Sequence, residues 1–156
     1  MSRINVDLFE MWPLISEVIS SGGEFRLFPR GTSMMPLLRE GTDSVVLVSP
    51  ESVQKGDIAF YRRANGQFVL HRVIRIKKDE YLMCGDNQYI IEHGIKKENI
   101  LAKVAHIYRG DELLPDNDRK YARYIFFLPS RRIKKRIRAM LSATKRKITK
   151  KKSEEQ

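Results

Sequence analysis

A single cysteine, Cys84, stands in a chain of 156 residues. This excludes an intramolecular disulfide and any metal site assembled from several thiolates of one chain. Histidine is almost as scarce. His71, His93 and His106 show no metal-ligand spacing such as His-Glu-x-x-His, so neither a metal nor a cofactor is expected. Long apolar runs are missing too. A membrane-spanning helix needs at least about 18 apolar residues in sequence, and the best run near the C-terminus, Tyr124 to Leu128, falls far short. Neither a membrane span nor a signal peptide is expected, and the chain reads as soluble or membrane-peripheral, on the cytoplasmic side.

Acidic charge is also lacking, but only at one end. Residues 119–156 hold 15 of the 30 Lys and Arg against Glu154 and Glu155, a net +13. Residues 1–118 hold 15 basic and 17 acidic residues, a net −2. The total of +11 is therefore the charge of a tail attached to a near-neutral body. With 42% hydrophobic residues over its 156 positions, the chain can build one ordinary core.

Periodicity divides the chain into three segments. In residues 1–23, Leu8, Met11, Trp12, Ile15 and Ile19 recur at helical spacing and Ser21-Gly22-Gly23 stops the pattern. The spacing predicts a helix over 5–20, with Pro13 at its start or at a kink, capping one end of a β core. From Glu24 the period becomes two. Strands are expected at 25–28, 43–48, 58–63, 67–76, 81–84 and 100–108. Turns punctuate them at Lys55-Gly56-Asp57, Asn65-Gly66, Lys77 to Glu80, Gly85-Asp86-Asn87 and Arg109-Gly110-Asp111. Short strands at this spacing predict a mainly β, antiparallel fold, coiled or barrel-like, over 24–118. Residues 119–156 read as a basic, helical tail.

Three residues in the β segment suit nucleophilic hydrolysis. Ser33 lies between Gly31 and Pro36, on backbone suited to presenting a hydroxyl in a turn. His71 lies inside the apolar run Val69 to Ile74, where a strand would hold a base rigidly. Asp86 follows in a turn and supplies a carboxylate to orient the imidazole.

The boxes Gly31-Thr32-Ser33-Met34-Met35-Pro36, Lys55-Gly56-Asp57-Ile58, Val69-Leu70-His71-Arg72-Val73-Ile74 and Gly85-Asp86-Asn87 occur in the order and rough spacing of type I signal peptidases. Together they resemble the endoplasmic-reticulum-type branch, which uses histidine as general base. The resemblance covers roughly residues 24–109. It implies the coiled β fold shared with LexA-type repressors, Ser33 as nucleophile and His71 as general base. The orienting acid is divided between Asp86 and Glu92. Thr32, Met34, Met35, Pro36 and Arg72 would shape the oxyanion and substrate site, and the substrate would be a signal or leader peptide. Two positions depart from the family's pattern. Gly31 stands where serine is common, leaving the oxyanion to backbone amides and Thr32, and Ala102 stands where glycine is typical.

The tail places Tyr121, Tyr124, Ile125, Phe126, Phe127 and Leu128 before Pro129, then basic pairs around Ile133, Ile137, Met140 and Leu141. This pattern, over residues 119–152, suits an anionic membrane surface. No helix-turn-helix pattern accompanies it, so nucleic acid is not the expected partner. Two other readings stay open at this level: a LexA-like regulatory or self-cleaving module, and a noncatalytic β domain tethered by its tail.

Overall fold

The computed structural model describes residues 8–115 and 119–154, and the chain divides into two compact units, Met1–Asp116 and Asn117–Gln156. The first unit opens with helix α1, Leu8–Ser20, ended where the Gly23 amide donates to the Val18 carbonyl (2.9 Å). Residues 5–7 of the expected helix lie outside the described residues. Pro13 sits inside α1, in its second turn, where it has no amide to donate to the carbonyl four residues back.

Eight strands follow: β1 (Phe25–Leu27), β2 (Asp43–Val48), β3 (Ile58–Arg62), β4 (Phe68–Lys77), β5 (Glu80–Cys84), β6 (Glu92–Lys96), β7 (Ile100–Arg109) and β8 (Glu112–Leu113). They form one antiparallel sheet in the order β1-β2-β7-β3-β4-β5-β6, with β8 paired to β7. The fold is thus mainly antiparallel β with a short N-terminal helix, as the alternation predicts. β6 and β8 were not expected from the sequence. Register shifts at Val46/Leu47, Phe60/Tyr61, Val73/Arg75 and Tyr81/Met83 interrupt the ladders. Bulges of this kind increase local twist and bend the strands that carry them.

Strand β3 shows why the sheet holds together. Ile58 and Phe60 point to one apolar cluster, with Ile15, Ile19, Val45, Leu47 and Leu70. Ala59 and Tyr61 point to another, with Val73, Met83, Ile95 and Ile100. Both faces of the strand are buried, so it reads as a continuous apolar run. Helix α1 covers the first face. Trp12 packs on Phe60 and Phe68, with ring centroids 5.6 and 5.7 Å apart, and Phe60 and Phe68 stack on each other at 5.6 Å. The segment after Ser33 joins the same cluster through Met34 and Leu38, which ties the serine turn to the core.

The second unit is one helix, α2, Arg119–Glu154, which continues through Pro129. No helix among the described residues is long and apolar enough to cross a membrane.

Candidate active site

Ser33 and His71 line one cleft of about 220 Å³. Met34, Leu38, Phe68 and Leu70 give it an apolar wall, and Arg30, Glu40, Arg63 and Gln67 give it a polar one. The two halves of the site arrive by different routes.

His71 comes on the β3–β4 hairpin. The Arg63 amide donates to the Gln67 carbonyl (2.9 Å), and Gly66 takes φ +86 in the connection. The register that results sets Ala59 opposite His71 and Tyr61 opposite Val69. Tyr61 therefore shares the face of His71, and its hydroxyl lies 3.2 Å from Nδ1. Glu92, the first residue of β6, reaches the same nitrogen, with Oε1 at 3.0 Å. The guanidinium of Arg63 clamps this carboxylate from its other side. Nε donates to Oε2 at 2.7 Å and a second N–H donates to Oε1.

These contacts decide the tautomer. Burial works against ionised Glu92, but hydrogen bonds from Arg63 and Tyr61, with the field of His71, outweigh it and hold the carboxyl below its ordinary value. An ionised carboxylate accepts only, so the proton between Glu92 and His71 belongs to Nδ1. Nδ1–H can then accept nothing from Tyr61, whose proton is left for Glu92. Burial also pushes His71 below its ordinary 6.5; Glu92 pulls it back and Arg63 adds to the depression. The ring is neutral at neutral pH. Its Nε2 lone pair meets no partner among the described residues and is free to act as a base.

Ser33 comes on the turn between β1 and β2. Gly31 holds φ +84 there, a conformation that disfavours side chains, and its amide donates to Glu40 (3.0 Å). A serine at position 31 would be strained, so the glycine is a backbone requirement of this turn. The turn is fastened to the loop after β5. The Asn87 amide donates to the Ser33 carbonyl (2.7 Å), and Asn87 Nδ2 donates to the Thr32 carbonyl (3.0 Å). Gly85 passes so close that a Cβ there would stand 2.6 Å from the Ser33 carbonyl oxygen. Neither the Ser33 nor the Met34 amide donates to a group among the described residues, so both remain available to an oxyanion.

Asp86 has a different task from Glu92. Its carboxylate takes two bonds from Arg72, at 2.8 and 2.7 Å, and both residues are buried. A third bond runs from Arg72 to the Gly56 carbonyl (2.6 Å). Arg72 follows the histidine on β4, so this pair joins the histidine's strand to the loop that holds the serine turn, and to the Lys55-Gly56-Asp57 turn. Of the two carboxylates expected to share the orienting role, Glu92 reaches His71 and Asp86 reaches Arg72. Arg72 is buried in that pair and is not on the cleft wall, and Met35, Pro36 and Thr32 are also off it. Met34 is on the wall and in the core. Tyr61 and Arg63 were not singled out from the sequence; the hairpin's register is the signal that places them. Among the described residues no group of His, Cys, Asp and Glu could hold a metal ion.

Comparison of the chain with protein-family models and with curated proteins finds no match.

Proposed function

We propose that this chain is a serine endopeptidase, resembling type I signal peptidases of the histidine branch, that cuts a signal or leader segment. The observation that carries the reading is the joint one. Ser33 and His71 line the same cleft, and Nδ1 of His71 is held by an ionised carboxylate with Nε2 left open. No hydrogen bond joins Ser33 to His71 in this structure, a looseness common in sites that close on substrate.

On this reading Ser33 Oγ attacks the scissile carbonyl as Nε2 takes the hydroxyl proton. The amides of Ser33 and Met34 receive the oxyanion. The tetrahedral intermediate collapses, Nε2–H protonates the leaving amine, and an acyl-serine remains. Water, deprotonated by the same nitrogen, releases the new C-terminus.

The substrate's path follows from β4. Phe68 to His71 pair with β3 on one side, whereas the ladder to β5 begins only at Arg72. The other edge of Phe68–His71 carries no strand among the described residues and borders the cleft. An extended peptide can add there as a strand, presenting alternate side chains to the cleft. Small side chains next to the scissile bond are what the resemblance to signal peptidases implies. Leaders are apolar and are met at membranes, so the proposal places the enzyme peripherally on a membrane, at the cytoplasmic side expected from the sequence.

N-terminal peptide proteomics of the native host tests the proposal. Mature N-termini present in wild type are expected to vanish in Ser33→Ala and in His71→Ala. Unchanged termini in both variants, with the protein expressed, would exclude the peptidase and leave the noncatalytic module.

A further inference from the structure

Among the described residues, α2 leaves several large apolar side chains in solvent. Phe126 is 77% exposed, Ile133 60%, Ile137 50%, Met140 62% and Leu141 65%. At 3.6 residues per turn they fall on one stripe of the helix. Lys134, Arg136, Arg138 and Arg146, all exposed, occupy its flanks and opposite side. The stripe is narrow, the flanks carry one sign of charge, and the helix extends about 54 Å at 36 residues.

We propose that α2 lies in the plane of an anionic lipid bilayer, its apolar stripe at the acyl boundary and its Lys and Arg among the headgroups. Charge complementarity selects this occupant. A second copy laid on the same stripe would bring two dense rows of like charge together, with no acidic residue among Arg119–Ser153 to offset them. Nucleic acid would satisfy the cations but would leave the stripe in water, since phosphate contacts use no apolar face. An anionic bilayer satisfies both features with one contact, and each contributes: the stripe by burial, the cations by attraction to the negative surface. The inference concerns a surface of the second unit and does not depend on the peptidase reading.

Cosedimentation of the full-length protein with vesicles of phosphatidylcholine, with or without phosphatidylglycerol, tests it. Binding is expected on the phosphatidylglycerol vesicles and at least about tenfold less on phosphatidylcholine alone. The double variant Ile133→Glu, Ile137→Glu should weaken binding at least about tenfold while circular dichroism stays helical. The triple variant Lys134→Gln, Arg136→Gln, Arg138→Gln keeps the stripe and should lose mainly the phosphatidylglycerol-dependent part. Equal vesicle binding by the stripe variant and wild type would overturn the proposal, reducing α2 to a diffuse charge. No vesicle binding by wild type, with a dimer that the stripe variant abolishes, would assign the stripe to a second copy. No vesicle binding with retention of single-stranded DNA would assign the helix to nucleic acid. Ser33→Ala should bind vesicles as wild type does, so vesicle binding and the peptidase reading stand or fall separately.

Discussion

Asp86 and Glu92 lie six residues apart, and their partners assign them different work. Asp86 and Arg72 are buried together, and removing one member of such a pair leaves a charge in the interior without compensation, at a cost of about 3–5 kcal/mol. Asp86→Ala is therefore expected to lower stability by that amount in denaturant unfolding, with its activity loss following the folded fraction. Glu92→Gln keeps the shape of the side chain but removes the charge that fixes Nδ1–H. It should stay folded and lose about 10²–10⁴-fold in kcat. A Glu92→Gln protein with wild-type kcat would remove Glu92 from the mechanism.

The same cluster sets a pH dependence. A general base works unprotonated, and burial, aided by Arg63, holds His71 below 6.5. Activity should persist as pH falls past 6.5 and drop only as His71 takes up its proton at a lower pH. The charged and titratable groups around the ring are Tyr61, Arg63, Glu92 and Asp86. Arg63 depresses the pKa both directly and by pairing with Glu92, so Arg63→Gln should raise it. The acid limb of kcat/KM then moves to higher pH, with activity recovering in alkali, and the His71 ring resonances titrate at the same higher pH by NMR. A uniform loss at every pH would make Arg63 structural only.

At the scale of elements, the site is where three local structures meet: the β3–β4 hairpin, the serine turn and the loop after β5. Gly85 is where the last two leave no room for a side chain. A Cβ there would stand 2.6 Å from a backbone oxygen that cannot rotate away, so Gly85→Ala must displace the Ser33 turn. A displacement of about 1 Å costs on the order of 10²-fold in rate. The expected result is a folded protein with kcat lowered by that order; wild-type kcat would mean that the turn position is not critical. What could be read from sequence follows the same division. Short apolar runs bounded by turn residues revealed β2, β3, β4, β5 and β7, and Ser33 and His71, singled out in two of the boxes, line one cleft. β6 was hidden because only Ile95 of its five residues is buried and Gly94, at φ +76, interrupts it, so the strand pattern left the orienting acid divided between Asp86 and Glu92. Tyr61 was hidden by one residue of register. A two-residue Asn65-Gly66 turn would set Tyr61 opposite Leu70, on the other face from His71; the three-residue connection sets it opposite Val69. Turn length is fixed by tertiary packing as much as by the Asn-Gly pair, which is why the sequence left it open.

For the whole molecule, the segregation of charge matters more than the total. Cations of the first unit that pair within the fold include Arg63 on Glu92, Arg72 on Asp86 and Arg109 on Asp43. Those pairs are short and partly or fully buried, so salt screens them little, whereas the exposed cations of α2 act over distances comparable to the Debye length, about 8 Å at physiological ionic strength. The two proposed activities should therefore respond differently to salt in the same full-length protein. Raising ionic strength from about 0.05 to about 0.5 M should reduce the fraction bound to phosphatidylglycerol vesicles several-fold. The binding that survives is the contribution of the apolar stripe, and it should disappear in the Ile133→Glu, Ile137→Glu variant. Over the same range kcat/KM for a short uncharged peptide should change less than about twofold, because nothing in Ser33, His71 or Glu92 relies on long-range field. Salt sensitivity shared equally by vesicle binding and peptide turnover would show that the basic tail and the catalytic cleft are one electrostatic system, and the division into a neutral chemical body and a cationic docking helix would fail.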